Sequence, residues 1–271
     1  MKKTSIIFSV SSDIGQSLAE RRLNDGYKVF GTYRKNTRKL EELENKGVKL
    51  VHADFNDTSS VDSGCKQIMD SSQNWDELIV APGTLEPIGL FEDLEFSDWD
   101  KSFRVNYLNP LRAVRNMLQH RSVDSSVIFF AGGGTNGVAD RFSAYVCSKI
   151  ALIKTTELLD SEIQDAKFVI IGPGWIKTKI HEETLKAQSD AGESYKQTIQ
   201  RLRDNNFGSM EELLDCIDWV VAQPKEVIGG RNISSQNDRW KQNLNEVLHQ
   251  NQEYGKLRRS GNDELSRGCT R

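Results

Sequence analysis

Cysteine, proline and histidine are scarce in this chain, at four, five and four residues out of 271. Cys65, Cys147, Cys216 and Cys269 are scattered with no CxxC spacing, which excludes a disulfide scaffold or a zinc ribbon. They are expected to be free thiols in a reducing cytoplasm. His52, His120, His181 and His249 form no HExxH or related ligand pattern, so no metal site is expected. No apolar run approaches the length of a bilayer-spanning helix, which excludes an integral helical membrane protein. The net charge of −3 gives no overall attraction to nucleic acid or anionic lipid. The start, "MKKTSIIFSVSS", has the two lysines of a signal peptide, but its apolar stretch is too short and breaks into "SSDIG". It is expected to be a buried first strand. No Pro- or Gly-rich linker interrupts the chain. One domain is expected over residues 1–235, followed by an extension over 236–271 whose last dozen residues are expected to be disordered.

What is present is an alternation of apolar strand-like runs with segments of helical period. "SIIFSV", "YKVFGTY", "VKLVHAD", "DELIVAPG", "SSVIFFAGG" and "AKFVIIGPG" are the six expected strands. Between them lie "IGQSLAERRLNDG", a charged helix over 35–46, "SSVDSGCKQIMDSS", a long helical region over 97–120 and a long helix over 143–164. Strands that are apolar without alternation suit a parallel sheet covered on both faces. The β-α-β order predicts a doubly wound α/β fold of three α/β/α layers, the Rossmann type. Residues 178–208 leave the pattern as a polar, helical insertion. A weak amphipathic helix carries Trp240, Leu244, Val247 and Leu248 near the end.

"AYVCSK" puts Tyr145 and Lys149 one helical turn apart, on one face of a helix. A phenol is a poor acid or base at neutral pH, since its ordinary pKa is near ~10. A fixed ammonium beside it stabilises the phenolate and is expected to bring that value down. The same spacing also occurs on ordinary surface helices. At the other end of the chain, "SVSSDIG" sets Gly15 where the first helix begins, a place where free N–H groups attract a pyrophosphate.

In order and spacing, "SSDIG", "TYRK", "HAD", "APG", "YVCSK" and "GPGWIKT" resemble the short-chain dehydrogenase/reductase family, in its single-domain branch, over about residues 4–235. The resemblance implies an oxidoreductase that interconverts a carbonyl and an alcohol by hydride transfer, with Tyr145 as acid/base. Lys149 would tune Tyr145 and bond the nicotinamide ribose. Asn106 would anchor a water that extends the proton relay. The family's first motif reads Thr-Gly-x-x-x-Gly-x-Gly, and here Phe8, Ser9, Asp13 and Gly15 occupy its fixed positions. Only the last glycine remains. Ser11 and Ser12 offer hydroxyls to the phosphates, with Ile14 beside them. Tyr33 stands where an acidic residue would select NAD. Arg34 and Lys35 follow, and their charges suit the 2′-phosphate of NADP, so NADP(H) is the expected cofactor and NAD the less favoured one.

The resemblance places Asp54, with Phe55 after it, near the adenine. Ala81, Pro82 and Gly83 replace the usual Asn-Ala-Gly after strand four. Pro173 and Gly174 keep the turn after strand six, Ile176 would cover one face of the nicotinamide, and Thr178 would hold its carboxamide. The family's serine at the end of strand five is missing, because residues 132 and 133 are both glycine. Thr135 is the candidate replacement, with Asn136 and the glycine-run amides as others. The insertion carries His181, Glu182, Glu183, Gln188, Tyr195 and Gln197, a polarity that suits a small hydroxylated, sugar-like substrate. Family members are usually dimers or tetramers built on the two long helices, and Ile150, Ile153 and Leu158 are candidates for that interface or for the core. A competing reading is a nucleotide-binding regulatory or scaffold protein that kept the fold and lost the reaction. A sugar epimerase is disfavoured by the lack of an appended substrate domain.

Overall fold

Every residue of the first strand, Thr4–Phe8 (β1), is buried. In the computed structural model, which describes residues 2–72 and 74–259, this strand lies inside a seven-stranded sheet, third from one edge. The others are Lys28–Tyr33 (β2), Lys49–His52 (β3), Trp75–Val80 (β4), Arg121–Phe130 (β5), Ala166–Gly172 (β6) and Asn232–Ser234 (β7). All pairings are parallel, in the order β3-β2-β1-β4-β5-β6-β7. Successive side chains point to opposite faces, so each strand feeds two cores. Ile7, Val29, Ile79, Ile128 and Val169 pack on one side, and Ile6, Phe8, Leu78, Val127 and Phe168 on the other. The expected doubly wound, three-layer α/β fold is the observed one.

The helices covering the faces are Asp13–Asn24 (α1), Arg38–Asn45 (α2), Thr58–Ser71 (α3), Phe96–Phe103 (α4), Asn109–Met117 (α5) and Ser143–Glu162 (α6). After β6 come His181–Ala187 (α7), Glu193–Arg203 (α8), Met210–Ala222 (α9), Lys225–Ile228 (α10) and Leu244–Gln250 (α11). Between β1 and β4 the winding reverses, and the crevice beyond the carboxyl ends of those two strands is where open α/β sheets bind ligands.

Three features differ from the sequence expectation. The helical region over 97–120 runs without a break, but its period changes at a π-turn, Arg104–Leu108, between α4 and α5. Such turns insert one extra residue and re-aim a side chain, and here Asn106 sits within it. A seventh strand of three residues is added at the edge of the sheet; β7 is too short to show a period in sequence. Trp240 precedes α11 rather than joining it, but both are buried against α9, with the Trp240 indole donating to the Ser235 carbonyl at 2.9 Å. The tail expected to be disordered, residues 260–271, lies outside the described residues, as does Cys269.

Candidate active site

A cleft of about 1500 Å³ opens at the carboxyl ends of the strands. At its centre, α6 presents Tyr145 and Lys149 on one face, with the Lys149 Nζ 5.7 Å from the Tyr145 ring centroid. Lys149 is 6% exposed, and its ammonium donates to the Phe130 carbonyl at 3.0 Å, which fixes it against the end of β5. The start of α6 is held by the Trp99 indole of α4, which donates to the Ser143 hydroxyl at 3.1 Å.

The electrostatics run opposite to the sequence expectation. Burial, and then the Glu183 carboxylate, push the Tyr145 phenol up to about 12. Burial brings the Lys149 amine down to about 8. Desolvation sets the direction of both shifts. In this state the phenol holds its proton firmly.

Gly132 explains part of the missing serine. A Cβ at this position would lie 2.4 Å from the Tyr145 hydroxyl. Any larger residue would displace the phenol, so the tyrosine fills space that a serine side chain would need. Thr135 and Asn136 line the same cleft in the loop that follows.

Asn106 is 1% exposed, and its amide is committed to neighbours. Its Nδ2 donates to the Thr84 carbonyl at 2.9 Å and to Ser102, while its Oδ1 accepts the Thr84 N–H at 3.0 Å. It thus clamps the turn after β4. A Cβ on Gly83 would lie 3.4 Å from the Asn106 Oδ1 and 3.9 Å from the Lys149 Nζ, so these two groups flank that glycine.

Where β1 runs into α1, Ser9 takes the left-handed conformation that favours glycine, with φ +61°. A side chain in that region costs about 1 kcal/mol, and the bonds Ser9 N–H to Thr32 Oγ1 (2.9 Å) and Ser12 N–H to the Ser9 carbonyl (3.0 Å) hold it there. Ser12 caps α1 by accepting the Gly15 N–H at 3.0 Å. Gly15 is required by packing, because a Cβ would meet the Ser9 carbonyl at 2.6 Å.

Ser9, Ser11, Ser12, Asp13, Ile14, Arg34, Lys35, Asp54, Phe55, Ala81, Pro82, Gly83, Pro173, Gly174, Ile176 and Thr178 all line the cleft. Gly15 and Tyr33 do not. Gly15 lies beneath the loop, and Tyr33 packs edge-on against His52, 5.8 Å between ring centroids. Arg34 and Lys35 are exposed at the cleft edge. Asp54 Oδ1 accepts from the backbone and side chain of Asn56 at 2.9 and 2.7 Å.

The insertion folds over the cleft as α7 and α8. It is anchored by a parallel stack of Trp175 on His181 (4.4 Å, 3°) with the Arg201 guanidinium 4.6 Å above the indole. Glu183 was legible only as one polar residue among several. The structure turns it inward, where its Oε2 accepts the Leu85 N–H at 2.6 Å and the Thr84 hydroxyl at 3.1 Å. Burial raises its pKa. Lys179 gave no sequence signal at all, and its ammonium lies on the loop before α1, donating to the Ser11 carbonyl at 2.5 Å.

This arrangement has relatives. The short chain dehydrogenase family matches residues 3–189. A fatty acyl-CoA reductase of Acinetobacter baylyi is 30% identical over 235 residues, covering 83% of this chain and 75% of the relative. An uncharacterized oxidoreductase of Saccharomyces cerevisiae is 24% identical over 218 residues, 76% and 84% of the two chains. Among solved structures, a short chain dehydrogenase/reductase from S. cerevisiae superposes with a TM-score of 0.77 at 19% identity, covering 88% of this chain and 98% of that one. Actinorhodin polyketide ketoreductase with NADPH superposes with a TM-score of 0.74 at 16% identity, covering 86% and 95%. The chain belongs to the short-chain dehydrogenase family of oxidoreductases.

Proposed function

We propose that this protein is an NADP(H)-dependent oxidoreductase that interconverts a carbonyl and an alcohol on a small polar, sugar-like substrate. The observation that carries this reading is the pairing of Tyr145 and Lys149 in the cleft that Arg34 and Lys35 also border. The cleft residues fit a nicotinamide nucleotide. Arg34 and Lys35 offer cations for a 2′-phosphate, and Ser9 keeps the backbone turn of the glycine whose place it takes. Gly83 leaves backbone open to the ribose. When bound, the cofactor supplies or accepts the hydride. Tyr145 donates its proton to the carbonyl oxygen as that oxygen gains charge, a role suited to a phenol that is protonated at neutral pH. Lys149, as an ammonium, then stabilises the phenolate until Tyr145 regains its proton from solvent. Asn106 positions the turn of Thr84 beside both.

The substrate pole of the cleft is lined by Glu86, Asp98, Asp140, Glu182 and Glu193, with Lys101 and Lys186 as the nearby cations. Carboxylates there repel the phosphates of a carrier such as coenzyme A. A neutral hydroxylated carbonyl compound meets no such penalty. A homodimer or homotetramer contact fits the outer faces of α4–α6, where Phe96, Leu108 and Leu158 are exposed, whereas Ile150 and Ile153 belong to the sheet-facing core. Sedimentation velocity reads that assembly.

The test follows NADPH oxidation over a panel of aldoses, ketoses and fatty acyl-CoA. Turnover of a polar carbonyl compound that falls at least about 100-fold in Tyr145→Phe is expected, with NADPH binding retained. Arg34→Ala is expected to weaken NADPH and leave NADH unaffected. Nucleotide binding without turnover, unchanged in Tyr145→Phe, would instead identify a binding protein of the same fold.

A further inference from the structure

Asp13 and Lys179 meet across the nucleotide end of the cleft. Asp13 stands at the start of α1, and Lys179 lies on the segment that leads from β6 into α7. The Lys179 N–H donates to Asp13 Oδ2 at 2.7 Å, and the Lys179 ammonium donates to the Ser11 carbonyl at 2.5 Å. Both residues line the cleft and Lys179 is exposed.

An anion approaching this loop meets two obstacles. A carboxylate occupies a position where a bare glycine would leave only backbone. One of the first N–H groups of α1, that of Gly15, is already taken by Ser12. The backbone donors and helix dipole that attract phosphate are therefore partly spent and partly opposed. An ammonium on the same loop restores the balance. The Lys179 Nζ bonds a lone carbonyl oxygen, an acceptor much weaker than a phosphate oxygen. Its backbone stays fixed through Asp13, so the side chain is free to change partner without moving the segment.

We propose that Lys179 is a pyrophosphate-binding residue, gripping the diphosphate bridge of the nucleotide from the lid side and supplying the attraction that a loop with Ser9 and Asp13 in place of glycine does not. This rests on the nicotinamide-nucleotide reading above. It also couples nucleotide binding to the insertion, since Lys179 runs directly into α7.

Fluorescence titration tests this with NADPH and, as a probe that lacks the diphosphate, adenosine 2′-monophosphate. Lys179→Ala is expected to raise the Kd for NADPH by about tenfold or more. The Kd for adenosine 2′-monophosphate is expected to stay within about twofold, because that probe reaches only the Arg34 and Lys35 end. Lys179→Arg is expected to restore most of the NADPH affinity. Equal NADPH affinity in wild type and Lys179→Ala overturns the assignment, as does equal weakening of both probes, which would mark a structural role. If wild type binds neither NADPH nor NADH, the parent reading falls together with this one.

Discussion

Lys149 is a buried amine with a hydrogen bond to a carbonyl oxygen, and that environment has a measurable sign. Burial lowers it from 10.5 to about 8. Between those values the unfolded chain binds more protons than the folded one, so stability rises with pH across about pH 8 to 10.5, and the penalty is fully present below that window. Lys149→Met keeps most of the aliphatic stem and removes the charge. It is expected to raise the unfolding free energy of the nucleotide-free protein at pH 7 by up to ~3 kcal/mol, to flatten that pH dependence and to abolish turnover. Urea titrations at pH 7 and pH 10 check the sign; a loss of stability at pH 7, or a gain of the same size at both, would contradict it. The Tyr145–Lys149 pair was legible in five residues of sequence because helical periodicity fixes which side chains share a face. Its proton affinities were not, because desolvation depends on what covers the pair.

At the scale of elements, the cleft is shaped by contacts between segments far apart in sequence. Glu183 joins α7 to the turn after β4, and Asn106 in the π-turn holds that same turn from the other side. Glu183→Ala leaves the Leu85 N–H without its acceptor, a loss of about 1–3 kcal/mol at a partly buried site. The carboxylate also raises the Tyr145 pKa, so its removal lowers that value. The expected outcome is a kcat/KM reduced by about tenfold, with the alkaline limb of its pH profile moved to lower pH. An unchanged limb would mean that Glu183 acts on the lid alone. The strands and most helices could be read from composition and period. The π-turn and β7 could not, since one inserted residue and three edge residues leave no periodic signature.

At the scale of the molecule, one ionic knot crosses the fold. Arg22 of α1 makes a bidentate pair with Glu77 of β4, at 2.8 and 2.7 Å, while Asp218 of α9 accepts from the same guanidinium at 2.5 Å. Arg22 and Glu77 are 2% and 1% exposed. Arg22→Ala strands a buried carboxylate and is expected to cost about 3–5 kcal/mol. Arg38→Ala breaks only the surface pair with Glu42 and is expected to cost less than about 1 kcal/mol. Chemical denaturation of the two variants side by side reads the contrast; similar losses would refute it.

The sequence by itself determined the parallel, doubly wound sheet, since unbroken apolar strands alternating with helices have few other ways to bury both faces. It also determined that Tyr145 and Lys149 share one face of a helix, which depends on local spacing alone. Only the tertiary structure decided that Tyr145 occupies the space over Gly132, that Glu183 turns inward, and that Lys179 reaches the loop before α1. These are contacts between residues from 13 to 168 positions apart. Their energies depend on burial and distance, quantities that exist only once the chain has closed on itself.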